Sequence, residues 1–281
     1  MATIVTNPAA LNATFYLNRA DSALTKSIKR LSSGSRLADP SDDAAGVSVS
    51  GKLTAAVRRL SAVAEGASNV ISFSQVADGF LSVLTDELTR MSELAIRATN
   101  GAFSASDRAN YSLEFENLTS AITAQVTNAR FNGAPVFQTG TTGSTTTVAV
   151  SGDGADVYRT LLQNLRDEGN LSTSGALQQI NFANISTTTS ASAAIGIIGS
   201  AIERLATARA QVNSDISVLN FYIQNINVEK INTETANSRI KDLDFAAESI
   251  QLSTQNILLQ ASTAMLAQAN TTTQSVLALL Q

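Results

Sequence analysis

Two stretches, one at each end of the chain, repeat large apolar residues at intervals of seven. Near the C-terminus Phe245, Leu252, Leu259 and Leu266 step by seven, and Leu280 falls on the same register after a polar Thr273. Ile250, Ile257 and Ala264 repeat at seven beside them. Near the N-terminus Ala10, Leu17, Leu24 and Leu31 do the same, with Ala13 and Ala20 three residues after the first two. A seven-residue apolar repeat writes a helix with one greasy stripe, the pattern of helices that pair. Chain ends ordinarily fray. Stripes this apolar at both ends therefore predict that the ends pair with each other, through Leu17, Leu24, Leu31, Leu252, Leu259 and Leu266. One partner helix covers only part of such a surface. We expect the ends to be marginal in the lone chain and to order when other copies of it cover them.

The middle is periodic too. Leu53, Val57, Leu60, Ala64, Ala67 and Ile71 alternate steps of four and three. After an extra three-residue step through Ser74, a local overwinding, the seam resumes as Ala77, Leu81, Leu84, Leu88, Met91, Ala95 and Ala98. A helix from Gly46 to Thr99 would be roughly 80 Å long at about 1.5 Å per residue. Asn100-Gly101 closes it. Ser104-Ala105-Ser106-Asp107 has the form of a capping box, opening a third helix with the stripe Tyr111, Phe115, Leu118, Ile122 and Val126 and an end at Asn132-Gly133. From Phe131 to about Val157 the chain turns rich in Thr, Gly and Ser, with alternation at Val148 and Val150, which predicts turns and a β-hairpin. Tyr158 to Leu165 reads as one short helix. A last long seam runs through Ile195, Ile198, Ile202, Leu205, Val212, Ile216, Leu219, Ile223 and Ile226. Beyond Val228 it gives way to Lys230, Thr233 and Asn237, and the pattern is equally lost at Leu37 to Asp43. These mirrored gaps predict a joint between an inner helix pair and an outer bundle. Pro8, Pro40 and Pro135 all lie outside the periodic runs, as proline's effect on helix interiors requires. Ser32-Ser33-Gly34 is a natural end for the first helix.

Composition narrows the function classes. The 281 residues contain no His, Cys or Trp, and aromatics are 5%. Long helices in thin layers suit this better than a thick core. Without His or Cys the common catalytic triads, thiol chemistry and thiolate metal sites are out of reach. The remaining carboxylate clusters, Asp42 with Asp43 and Asp242 with Asp244 and Glu248, sit where acidic residues cap helices and complement their dipoles. No catalytic, cofactor or metal site is expected. Absent cysteine suits a protein working outside the cell. A net charge of −4 argues against nucleic acid or an anionic membrane as partner. The most apolar stretch, Ala191 to Ile202, is too short to span a bilayer. No cleavable signal pattern opens the chain, so secretion would use another route.

Motifs then point to a family. Arg30-Leu31-Ser32-Ser33-Gly34 followed by Ser41-Asp42-Asp43-Ala44-Ala45-Gly46 resembles the N-terminal signature of bacterial flagellin. Ser238-Arg239-Ile240-Lys241-Asp242-Leu243-Asp244-Phe245-Ala246-Ala247-Glu248 and Met265-Leu266-Ala267-Gln268-Ala269-Asn270 resemble its C-terminal signature. The resemblance covers about 11–137 and 195–280. It implies a mostly α, coiled-coil-like helical rod with a small β-hairpin region in the middle. In that picture 1–40 and 241–281 pair as the inner D0 core, 41–136 and 191–240 form the D1 rod, and 137–190 is a β-hairpin or variable tip. It implies a subunit that polymerises with itself into the extracellular flagellar filament used for motility, leaving the cell unfolded through the flagellar type III apparatus. Implied partners are the hook-associated junction and cap proteins and an export chaperone on the C-terminal helix. A vertebrate innate immune receptor is implied too, at a patch matched by Leu88, Arg90, Leu94 and Glu114; Thr89, Ser92 and Arg97 depart from the family pattern there. Two alternatives stand beside the filament subunit: the hook–filament junction protein, which resembles flagellin at its ends, and a generic extracellular coiled-coil adhesin, which explains the stripes but not the paired signatures. Thr141 to Thr147 is a candidate for O-linked sugars, against a flexible polar tip.

Overall fold

A computed structural model of the chain describes residues 7–137, 144–152, 154, 156–162 and 183–278. Leu280, Thr141 and most of the segment 137–190 lie outside the described residues. Within them the chain is mostly α with a small β region, as expected. The helices are α1 (Pro8–Ser33), α2 (Ala44–Ala98), α3 (Ala105–Asn128), α4 (Thr188–Lys241) and α5 (Phe245–Ala278). The strands are β1 (Arg130–Phe131), β2 (Ala134–Pro135), β3 (Ser144–Ala149) and β4 (Val157–Leu162), paired antiparallel as β1–β2 and β3–β4. Two compact units result: 1–57 with 231–281, and 58–230. The division falls inside α2 and inside α4. Position 40 lies in the loop after α1, and Lys241 is the last residue of α4.

The second unit, 58–230, holds the larger core. Ala77, Leu81, Leu84, Leu88, Met91, Ala95 and Ala98 of α2 are all fully buried, against Phe115, Ile122 and Val126 of α3 and a line of residues on α4. Ser74 is also buried, on the overwound step of the seam. On α4 the buried line is Ala191, Ala194, Ile198, Ala201, Leu205, Ala208, Val212, Asp215 and Leu219. Ile202 and Ile216, which the spacing puts at the centre, are only half-buried beside it. Alanines take four places on the line because a small side chain lets two helix axes approach closely, and Ile202 and Ile216 fill the flanks. The predicted capping box opens α3: Ser104 Oγ accepts from Asp107 N at 3.2 Å, and Ser104 N donates to the Asp107 carboxylate at 3.0 Å.

Two expectations fail in this unit. Asn132-Gly133 does not end α3, which stops at Asn128. The dipeptide is instead the turn of the β1–β2 hairpin, with φ of 48° and 81°. Both central residues need positive φ in such a turn, which Asn and Gly supply. Tyr158 to Leu162 is not helical, and the rest of the expected helix, to Leu165, lies outside the described residues. Val157–Leu162 is strand β4, in register with Ser144–Ala149 as Tyr158 opposite Val148. Val148 packs with Ala67, Val70 and Leu219, holding the β3–β4 hairpin on α2 and α4. Tyr158 Oη donates to the buried Asp215 at 2.8 Å, and Gln211 Nε2 donates to the same oxygen at 3.0 Å. Desolvation, helped by that carboxylate, pushes the Tyr158 hydroxyl up to about 12.

Beyond Val228, where the apolar seam gives way, α4 stays helical to Lys241, and the division between the two units falls between Lys230 and Ile231. Polar pairing replaces apolar packing there. Ser50 Oγ donates to Asn237 Oδ1 at 2.7 Å, and Asn237 Nδ2 donates to Thr54 Oγ1 at 3.1 Å. Helicity persists because these bonds hold the two helices side by side. α4 ends at Lys241, ahead of Asp242–Asp244.

Candidate assembly interface

The pair formed by α1 and α5 is built from its caps inward. Asn7 caps α1, its side chain accepting from Ala10 N at 3.1 Å, with Pro8 in the first turn where its missing N–H costs nothing. Asp244 caps α5, accepting from Ala246 N and Ala247 N at 2.9 and 3.1 Å. The helices run antiparallel. Asn7 Nδ2 donates to Ala269 O at 3.0 Å at one end, and Arg30 meets Glu248 at 3.8 Å at the other. Stepping in from Asn7 and Ala269 brings Leu17 level with Leu259 and Leu24 level with Leu252. These four, with Leu31 and Leu266, are half-buried, and Ala20 among them is fully buried.

Half-burial is all that one partner provides. Ile250, Ile257 and Met265 of α5 are 69%, 66% and 64% exposed, and Leu11 and Phe15 of α1 are 65% and 63% exposed. Between the helices runs an open groove of about 910 Å³, lined by alanines such as Ala13 and Ala269, by Tyr16 and Met265, and by polar side chains such as Arg19 and Gln255. Apolar area this extended on one face of a helix pair marks a surface meant for burial. The second heptad row seen in the sequence, Ile250 and Ile257, thus faces outward.

Beside the pair, the chain ties its two ends together with backbone. α1 ends at Gly34, in the left-handed region at φ 66°. Arg36 N then donates to Lys241 O at 2.8 Å, and Leu243 N donates to Gly34 O at 3.2 Å. Ser35 Oγ donates to Lys241 O at 3.2 Å, and the Arg36 guanidinium donates to Ile240 O at 3.0 Å. Arg30 is the hub of the charges here. It meets Asp42 at 3.2 Å and Glu248, while Lys26 lies 2.6 Å from the same Asp42. The hydrogen bond from Lys26, reinforced by both positive charges, holds the Asp42 carboxyl below its usual range. Asp43 caps α2 through Gly46 N at 2.8 Å, and Asp242 accepts from Ser238 Oγ at 2.6 Å. The acidic clusters noted in the sequence therefore all have structural partners.

The remaining predicted residues lie in the other unit. Leu88 and Leu94 are fully buried in its core. Arg90 lies on the surface, bonded to Glu114 through Nε at 2.9 Å and to Glu93 at 2.9 Å. Of the four predicted residues only Arg90 and Glu114 reach the surface, in a stretch where Thr89, Glu93, Ile96 and Arg97 are also exposed.

Comparison with known proteins agrees with this arrangement. Residues 4–142 match the bacterial flagellin N-terminal helical region, and 195–280 match the flagellin C-terminal helical region. Flagellin FlaB2 of Treponema pallidum is 34% identical over 98% of both chains. The chain belongs to the bacterial flagellin family. The flagellar filament 33 kDa core protein of Treponema phagedenis is likewise 34% identical over 98% of both chains, and the flagellin of Listeria monocytogenes is 30% identical over 96% of both. A solved structure of a putative flagellar hook-associated protein from Vibrio parahaemolyticus has a TM-score of 0.58, covering 72% of this chain and 98% of that one at 13% identity. That likeness is one of fold alone.

As a flagellin, the chain is a structural subunit of a flagellar filament. The signature motifs gain a physical reading from the geometry. Those near the ends of α1 and α4 join the N-terminal and C-terminal segments, with Arg30, Gly34, Asp42 and Asp43 from one side and Lys241, Asp244 and Glu248 from the other, while Met265, Gln268 and Ala269 of the last motif line the groove. Sequence reasoning did not find Asn237 with Ser50, or Tyr158 with Asp215. Its only signal was a polar residue at a position where the seam demanded an apolar one.

Proposed function

We propose that the outward face of the α1–α5 pair is the surface by which flagellin subunits bind one another. The observation that carries it is the exposure of Ile250 and Ile257 in one row, with Met265 exposed beside them, on helices whose inner leucines are already half-buried. Burying each such side chain contributes roughly 1.5–3 kcal/mol, which a lone subunit forgoes and a polymer recovers. In this reading 1–40 with 241–281 form the inner core of the filament, and 41–136 with 191–240 the rod around it. The chain leaves the cell unfolded by the flagellar type III route, a chaperone covering the C-terminal stripe. It orders on docking at the tip of an extracellular filament, beside junction and cap proteins. Support comes from the paired heptads, from the absence of any described helix long and apolar enough to cross a membrane, and from the family.

Two substitutions separate pairing from polymerisation. Ile257→Asp leaves the α1–α5 seam intact, so the expected product is a soluble subunit of normal helicity that makes no filaments. Leu259→Asp disturbs the seam itself, so both helicity of the ends and assembly fall. Filaments of normal length from the Ile257→Asp chain, seen by electron microscopy, count against the scheme. Recognition by an innate immune receptor is a separate proposal, resting on Arg90 and Glu114. Reversing both charges should abolish receptor activation without loss of helicity, and an unchanged reporter-cell response would remove it.

A further inference from the structure

Peroxide has few good targets in this chain. There is no Cys, no Trp and no His. The softest side chains left are the three methionines. Met1 lies outside the described residues, and Met91 is fully buried in the core of the second unit. Met265 is 64% exposed and lines the groove between α1 and α5, with Tyr16, Leu258 and Ala261.

We propose that Met265 is an oxidation site whose sulfoxide blocks subunit assembly. This rests on the reading of the α1–α5 face as the surface between copies. The chemistry is that of a thioether with a hydroperoxide. The sulfur lone pair attacks one peroxide oxygen, the O–O bond breaks and an S–O bond forms. Sulfur loses an electron pair, and the other oxygen leaves as water once it has taken a proton. A flexible apolar side chain becomes a polar one with a strong acceptor oxygen. On the groove wall of a lone subunit, water satisfies that oxygen. Against a second copy that oxygen has to give up its water, and the apolar surface the thioether would have buried beside Leu258 and Ala261 becomes polar; both oppose association, even in a groove that also holds Asn12, Arg19, Gln255 and Gln268. The same packing should shield the thioether once a filament has formed, so sensitivity belongs to the subunit before it docks.

The test uses the full chain and hydrogen peroxide itself. Monomer and preformed filaments are exposed in parallel, then mapped by peptide mass spectrometry and scored for elongation from seeds. The expected results are oxidation of Met265 in the monomer with Met91 spared, protection of Met265 in filaments, and loss of elongation by the treated monomer. Peroxide should leave Met265→Leu elongating at its own untreated rate, and Met265→Gln, which places a polar oxygen there permanently, should elongate poorly untreated while keeping wild-type helicity. If treated wild-type monomer elongates as well as untreated, or Met265 oxidises equally in both forms, the proposal is overturned while the filament reading stands. If untreated chain never elongates, the filament reading falls and takes this with it.

Discussion

Gly34 sits at φ 66°, where a Cβ meets the following carbonyl and left-handed backbone costs about 1–2 kcal/mol. Gly34→Ala should therefore destabilise the α1–α5 unit by roughly that amount, read as a lower urea midpoint for loss of helicity at the ends. Asp42 gives a pH signature. Its folded pKa is depressed below the ordinary 3.8, first by the Lys26 hydrogen bond. Its contribution is then fully present above that ordinary value and is lost as pH falls through the lower folded one. The stability advantage of wild type over Asp42→Asn should be flat near neutrality and vanish in strong acid; an advantage that persists there would mean the pairing with Lys26 and Arg30 contributes nothing. At this scale sequence was a partial guide. It located Gly34 and the capping carboxylates, because helix ends follow local rules. It did not reveal that Arg30 gathers Asp42 and Glu248, since the second carboxylate arrives from across the fold.

The β3–β4 hairpin is held on α2 and α4 by Val148 and by the Tyr158–Asp215 bond. Tyr158→Phe removes one of the donors to a buried carboxylate and should cost about 1–3 kcal/mol, seen as a lower melting temperature of the second unit. Alkali should do the same reversibly. A tyrosine raised to about 12 contributes fully below its ordinary 10.0, and that contribution fades as pH rises through 12. Absorbance titration should find one tyrosine ionising late in wild type and none so late in Asp215→Asn. Long helices were legible as elements because their period repeats many times. The hairpin was not. Six residues from Val157 are too few to set a period, and only pairing with β3 decides that Val157, Tyr158 and Thr160, good strand residues all, lie in a strand. On α4 the spacing picked the large isoleucines, while four places on the buried line are taken by alanines whose packing value no sequence reading of single residues ranks highly.

At the scale of the molecule, the largest fully buried side chains among the described residues all belong to the second unit, whereas the first leaves its heptad leucines half-covered. Hydrogen exchange on dilute subunits should be fast along α1 and α5 and slow along the core of α2, α3 and α4, with the contrast erased on polymerisation. Uniform protection in the monomer would contradict the shared-burial reading. What the ends lack in the lone chain was legible in their double heptad rows; what they need as partner was legible only through the family. The strap between Ser35 and Lys241 has one further result. It is a clasp from a hydroxyl to the main chain across 206 positions, so one half of a folding unit is written long before the other. A ribosome or a narrow conduit releasing the polypeptide in order, from either direction, must hold the opening helix idle until the closing one emerges. That delay is built into the chain's own wiring, and it keeps the adhesive part of the molecule the last to be finished.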